Sequence, residues 1–413
     1  MLFLLLIVYC LLCTVADAKV YIDITSPALK KLPIAVMEFS GPSGKELSDI
    51  IRDDLDFTGV LSCLDRSAFI ESPSQPFSPK NWSVIGAEAV VKGSVSGTRN
   101  LVATVSLYDV PEGKEILRKE YQTEASLLRP LAHTIANDIY RQITGENGIF
   151  RTRIAYVARK GGEDSLHVMD WDGHRSSALG IKGNVLLSLR WSKDGSRLMY
   201  SSERNRQWGI YLLDFRKGAE IKVFTSKGTN IAGDFLPGAE EILFSSSMNG
   251  TQDLYTYGIA GTRISRLTSA RGIEVSPSLS PDGRLIVLVS DKDGTPQIFL
   301  MNRDSTTMRR ITYQGSYNTS PSWSPKGDRI AFSGRQGGKN QIFTISPDGS
   351  GIAQLTDRGN NEDPSFSPDG RYIVFSSDRD GEKALYIMRV NGEAQKRITP
   401  RGVRAFGPRW SPN

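Results

Sequence analysis

Three histidines in 413 residues leave little material for metal or acid–base chemistry. His133, His167 and His174 fall in a helical segment, a strand and a turn, and none has a companion at a spacing that builds a metal site or a nucleophilic triad. Cysteine is as scarce. Cys10 and Cys13 lie in an apolar leader, so Cys63 alone remains after it; a single cysteine makes no internal disulfide, and in the apolar stretch 60–64 it reads as a buried, inert thiol. A phosphate loop is missing: Gly41-Pro42-Ser43-Gly44-Lys45 sets its glycines too close and follows the lysine with no Ser or Thr. Gly93-Ser94-Val95-Ser96-Gly97 lacks the central serine of a nucleophile elbow. Charge of one sign is not in excess either. The 51 bases stand among 45 acids with no basic stripe interleaved with aromatics, which argues against a nucleic-acid surface. The expectation is a protein with no catalytic residue, no cofactor and no metal.

Long apolar runs are confined to residues 2–12, with Ala16-Asp17-Ala18 just beyond. That is the pattern of a secretory signal peptide cleaved after Ala18, too short to span a bilayer. It lacks the usual basic residue at its start. Cys13 follows Leu12, too large for the small residue a lipoprotein signal places there.

What the chain does have is a period. An aromatic or apolar residue before Ser-Pro or its relatives recurs at Trp191, Phe235, Leu279, Trp323, Phe366 and Trp410, at intervals of 44, 44, 44, 43 and 44 residues. After each mark comes a turn such as Pro281-Asp282-Gly283 or Pro368-Asp369-Gly370, then an apolar strand, a polar loop, a third strand and a short fourth strand ending in Leu267-Thr268, Ile311-Thr312, Leu355-Thr356 or Ile398-Thr399. Four antiparallel strands per repeat is the unit of a β-propeller. The copy at Phe235, where Leu236-Pro237-Gly238 replaces the usual turn, keeps the spacing and the following strand. A partial unit with only second, third and fourth strands begins near Arg153, and the chain stops at a lone first strand, Arg409-Trp410-Ser411-Pro412-Asn413. The fragments complement each other, so the expected fold is an α/β N-terminal domain followed by an all-β six-bladed β-propeller closed by the C-terminal strand.

Before the repeats, residues 32–145 mix strands with helices. A strand at 33–39, an amphipathic helix at 44–57 with Leu47, Ile50, Ile51 and Leu55 on one face, strands at 60–64 and 87–95, a hairpin pairing 101–108 with 116–121, and a closing helix at 125–143 make an independent α/β domain. The expected layout is a signal peptide at 1–18, a partner-binding segment at 19–31, the α/β domain at 32–145 and the propeller at 150–413. In the segment, Val20, Ile22 and Ile24 alternate with Tyr21 and Asp23, as in a strand that adds either to a partner's sheet or to the edge of the α/β domain. Propellers that act as enzymes carry a hydrolase domain or clustered histidines; this chain has neither, which leaves a rigid disc presenting loops to a partner. The loops entering the first strands are polar and varied, and the candidate docking residues are Thr229, Asn230, Ile231, Ala232, Glu274, Val275, Asn318, Thr319, Asn361, Glu362, Arg404 and Ala405.

The chain resembles the TolB family, the periplasmic component of the Tol-Pal system of Gram-negative bacteria. The resemblance rests on the signal peptide, Pro33-Ile34-Ala35-Val36, the junction from Thr144-Gly145-Glu146-Asn147-Gly148 to Ala155-Tyr156-Val157, and the six marks ending in Trp410-Ser411-Pro412. It implies a monomeric, non-enzymatic adaptor that supports outer-membrane integrity and envelope constriction at cell division, without spanning the membrane or binding nucleic acid. Its propeller rim would bind the Pal lipoprotein. Its N-terminal segment, Val20, Tyr21, Ile22, Asp23, Ile24, Thr25 and Ser26, would bind TolA, although Thr25-Ser26-Pro27 lacks the glycine usual there. The alternative is a secreted propeller that binds a glycan or another envelope protein.

Overall fold

In the computed structural model, which describes residues 31–413 apart from Thr262 and Ala270, every mark of the repeat closes the first strand of a four-stranded antiparallel sheet. The serine of the motif explains its recurrence. Ser192, Ser280 and Ser367 each donate their hydroxyl to the turn aspartate two residues on, Asp194 (2.7 Å), Asp282 (2.6 Å) and Asp369 (2.5 Å). Each hydroxyl also accepts the N–H of the residue that opens the second strand, Arg197, Leu285 or Tyr372, at 2.9–3.0 Å. The glycine after the aspartate turns the chain with positive φ, 68° at Gly195 and 71° at Gly283, a conformation free of strain only without a Cβ.

Blade 1 comprises Leu186–Trp191, Arg197–Arg204, Gln207–Asp214 and Ala219–Thr225. Blade 2 comprises Asn230–Phe235, Glu241–Asn249, Thr251–Gly258 and Ile264–Arg266; blade 3, Glu274–Leu279, Leu285–Ser290, Gln297–Asn302 and Met308–Arg310. Blade 4 comprises Asn318–Trp323, Ile330–Gln336, Lys339–Ile345 and Ala353–Gln354; blade 5, Asn361–Phe366, Tyr372–Ser377, Ala384–Arg389 and Lys396–Arg397. Blade 6 takes its first strand, Arg404–Trp410, from the end of the chain and its others, Arg153–Lys160, Glu163–Asp170 and Ser177–Gly183, from the start of the propeller. The six-bladed, C-terminally closed fold expected from the fragments is thus borne out, including the blade with the altered turn at Leu236-Pro237-Gly238. Closure is clasped twice: Arg153 N–H donates to Ser411 Oγ (2.9 Å) and Trp410 Nε1 donates to Thr152 Oγ1 (2.8 Å).

Apolar side chains fill the spaces between blades. Met199, Ile210 and Leu212 of blade 1 pack on Phe235, Ile242, Phe244 and Tyr255 of blade 2. Val287, Val289 and Leu300 of blade 3 meet Trp323, Ile330 and Phe332 of blade 4. Removing such a side chain from water is worth roughly 1.5–3 kcal/mol, so each blade owes its stability largely to its neighbours.

Each first strand slips register once against its second strand. Ser188, Ser276, Ser320 and Asp363 adopt φ of 51–56° at these bulges and Gly407 adopts 59°, so the slip is a β-bulge repeated around the ring. Serines of the preceding blade's second strand reach the bulge backbone: the N–H groups of Ala232, Asp363 and Gly407 donate to Ser201 Oγ (2.7 Å), Ser333 Oγ (3.2 Å) and Ser376 Oγ (3.1 Å).

The chain divides into two compact units, one ending at Asn147 and the other Gly148–Asn413. In the first, five strands lie in the order Leu61–Cys63, Leu32–Val36, Ala89–Ser96, Asn100–Asp109, Lys114–Glu124, the first three parallel and the rest antiparallel. The helix Gly44–Phe57 buries Leu47, Ile50, Ile51 and Leu55 as its pattern predicts, and packs on the helix Leu128–Thr144. The latter ends at Gly145, whose φ of 79° and N–H bond to the Arg141 carbonyl stop it. A short helix, Pro79–Ser83, was not expected from the sequence; its five residues are too few to show a helical period. The signal segment 1–18 and the segment 20–26 lie outside the described residues.

Candidate functional site

One face of the propeller is built from two kinds of loop. Those joining each fourth strand to the next first strand lead into the candidate docking residues, of which Thr229 lies in a loop as expected while the other eleven stand in the opening residues of the first strands themselves, and the hairpins between second and third strands lie beside them. Side chains tie the two sets together: Ile273 N–H donates to Asp291 Oδ1 (2.7 Å) and Asn360 N–H to Asp378 Oδ1 (2.7 Å). The hairpin residues Asp291, Asn340, Asp378 and Lys383 are therefore part of this rim. The sequence gives no direct signal for them, because only the antiparallel path of the blade brings the hairpins to this side.

Among the twelve candidates, Asn230, Ala232, Glu274, Asn318, Asn361 and Ala405 are buried, while Thr229, Ile231, Val275, Thr319 and Glu362 are half-buried and Arg404 is exposed. The buried amides hold blades together. Gln297 Oε1, on the third strand of blade 3, accepts from Thr312 Oγ1 (2.8 Å) and from Asn318 Nδ2 at the start of blade 4 (2.7 Å). Gln341 Oε1 likewise accepts from Thr356 Oγ1 (2.8 Å) and Asn361 Nδ2 (2.8 Å). The threonines also accept third-strand N–H groups, from Leu254, Ile298, Ile342 and Leu385, at 2.9–3.0 Å. The recurrent Leu-Thr pairs thus stand just past the fourth strands, where they act as clasps rather than as strand ends.

Between blades 2 and 3 the same clasp is built from acids. Asp253 replaces the glutamine and Glu274 the asparagine, and both are 0% exposed. Arg266 Nη2 lies 2.6 Å from Asp253 Oδ2, and Ser290 Oγ donates to Glu274 Oε1 (3.2 Å). Burial, with the contact to Asp253 adding to it, pushes the Glu274 carboxyl up to about 7.

The exposed part of the rim mixes apolar and charged groups. Ile273 and Tyr317 are 48% and 41% exposed, and Tyr313 is 75% exposed beneath the Arg310 guanidinium, 5.1 Å from its ring centre. Toward blade 5, Glu362 accepts from Asn340 Nδ2 (2.9 Å) and Asn360 Nδ2 (3.1 Å) and pairs with Lys383. Burial alone would raise its pKa, but Lys383 and the two amides hold it below the usual carboxylate range. Rings flanked by held charges suit a protein surface with apolar anchors and a polar rim.

The histidines occupy separate places. His133 Nδ1 lies 2.7 Å from Asp54 between the two long helices of the first unit, both side chains buried. His167 Nε2 lies 3.0 Å from Ser165 Oγ, and burial pulls its pKa down; His174 sits at the Asp172-Gly173 turn. Cys63 is half-buried, donates to the Arg52 carbonyl (3.4 Å), and burial pushes its thiol up to about 12.

Residues 140–413 match the family model described as the TolB beta propeller domain, and residues 20–116 match the TolB amino-terminal domain. The chain belongs to the TolB family. TolB relatives called Tol-Pal system protein TolB include those of Desulfosudis oleivorans, 34% identical over 268 residues (61% of each chain), and Dechloromonas aromatica, 31% identical over 221 residues (52% of each). The chain thus spans between about half and three fifths of the length of these curated relatives. The crystal structure of TolB from Acinetobacter baumannii superposes with a TM-score of 0.84 at 27% identity, covering 93% of this chain and 97% of that one. TolB membership accounts for the propeller and for the α/β region that precedes it.

Proposed function

We propose that the protein is a non-enzymatic periplasmic adaptor of the Tol-Pal system, docking the Pal lipoprotein on the propeller rim and TolA on residues 20–26. The observation that carries this reading is the order of two matches on one chain, an amino-terminal TolB domain followed by a TolB propeller. A leader of the signal-peptide type supports the periplasm, and no helix among the described residues is long and apolar enough to cross a membrane. Within the rim, Thr229, Ile231, Val275, Thr319, Glu362 and Arg404 are the members positioned to touch a partner, with Ile273 and Tyr317 as apolar anchors. The buried Asn230, Ala232, Glu274, Asn318, Asn361 and Ala405 support the loops. Joining the outer-membrane lipoprotein to an inner-membrane protein would link the envelope layers during constriction.

Titration calorimetry of residues 19–413 with the soluble Pal domain of the same organism tests the reading. Micromolar or tighter binding is expected, weakened about tenfold or more by Tyr317→Ala or Arg404→Glu, since aromatic and arginine anchors dominate such interfaces. Removing residues 19–31 is expected to abolish TolA binding. A folded chain that binds neither protein would overturn the assignment.

A further inference from the structure

The residue just before each repeat mark follows a rule that two blades break. It is Ser278, Ser322 and Ser365 in blades 3, 4 and 5 and Asp234 in blade 2. Two of these short polar side chains stitch one blade to the next: Leu279 N–H donates to Asp234 Oδ2 (3.0 Å) and Trp410 N–H to Ser365 Oγ (3.1 Å). In blades 1 and 6 the same position holds Arg190 and Arg409. The strands that carry them, Leu186–Trp191 and Arg404–Trp410, are neighbours only because the ring closes.

The two guanidinium groups meet in the central channel. Arg409 Nε donates to the Leu189 carbonyl of blade 1 (3.1 Å) and its Nη1 to the Pro364 carbonyl of blade 5 (3.4 Å), so it spans the inner strands on both sides of its own. Arg190 Nη1 donates to the same Leu189 oxygen (3.3 Å). Arg190 Nε is buried with no protein partner, so the Nε edge of that guanidinium, the one that grips an oxyanion in two-point fashion, is unused. Neither arginine forms an ion pair within 4.0 Å among the described residues. The acids that act on them from a distance, Asp234 and Asp363, are engaged elsewhere: Asp234 with Leu279 N–H, Ser278 Oγ (3.3 Å) and Phe235 N–H (2.9 Å), Asp363 with Ser320 Oγ (3.1 Å). Burial lowers the pKa of both arginines, and the neighbouring Arg190 helps to bring Arg409 down to about 9. Two like charges side by side, where serine or aspartate serves the other blades, disfavour the empty channel and favour an anion between them.

We infer that Arg190 and Arg409 form an oxyanion-binding site in the propeller channel, for one phosphate or carboxylate group gripped between the two guanidinium planes. The site needs no other protein, so its test stands apart from that of Pal and TolA binding. Residues 19–413 are titrated calorimetrically with inorganic phosphate, and separately with acetate, against chloride at constant ionic strength. The expected result is saturable binding, weakened about tenfold or more in Arg190→Gln and in Arg409→Gln. Preference for phosphate or for acetate then assigns the group. Circular dichroism verifies that the variants are folded. Should either fail to fold, crystals of the unaltered chain soaked in selenate are expected to show an anomalous peak between the two side chains. Absence of saturable binding, binding unchanged in folded glutamine variants, or selenate found only on the outer surface would overturn the site.

Discussion

At Glu274 the propeller buries an acid where two sister junctions bury an amide. The folded state holds its pKa at about 7 against 4.5, so folding favours the protonated form. Stability is therefore undiminished below pH 4.5, falls as pH rises toward 7, and carries the full penalty above it, on the order of 3 kcal/mol. Glu274→Gln, which restores the amide of the other clasps, is expected to gain stability above pH 7 and to flatten this part of the profile in urea titrations at pH 5 and pH 8. A profile unchanged by the substitution would assign the ionisation to another group. In the neighbouring clasp, Asn318→Ala removes the donor to Gln297 Oε1 and to the Gln314 carbonyl and is expected to cost about 1–3 kcal/mol, whereas Thr319→Ala should stay within about 0.5 kcal/mol. Chemical denaturation of the two variants separates scaffold from docking surface at adjacent positions of one strand. The approaches to the first strands were legible in the sequence, but the burial of Asn318 and Asn361 was not, because each amide meets a glutamine from the third strand of the preceding blade. Likewise the meeting of Arg190 and Arg409 was not legible, because only ring closure brings residues 219 positions apart onto one carbonyl.

Among the elements, the repeat was legible because its turn chemistry is local. Serine, aspartate and glycine bond within a few residues of one another, and such contacts leave a fixed spacing in the chain. The hairpins that share the rim left no such trace, since their position follows from the direction of strands rather than from residue type. The strand Arg404–Trp410 bears most on integrity. Trp410 is 6% exposed and its indole is bonded to Thr152, so Trp410→Ala is expected to cost about 3–5 kcal/mol. Deleting residues 404–413 would expose the edge of Arg153–Lys160 and leave the ring open. Loss of a sharp thermal transition, together with aggregation seen by light scattering, is the outcome expected of that deletion; an unchanged melt would show that the ring does not depend on its last strand.

For the whole molecule, the propeller Gly148–Asn413 contains its own interblade cores and its own closure, and self-contained units of this kind fold alone. Expressed by itself it is expected to give a β-rich circular dichroism spectrum and a cooperative melt, and an unstructured product would contradict the assignment of a separate unit. Pairing the first-made edge of this unit with its final strand also fixes an order of events. A ribosome makes Arg153–Lys160 some 250 residues before Arg404–Trp410, so no growing chain can shut the ring until residues 404–410 are out. During that interval the seam is an open template, vulnerable to proteases and to other nascent chains. The run Trp410-Ser411-Pro412 is thus a latch, and a copy cut short of residue 404 lacks it and stays open along the seam.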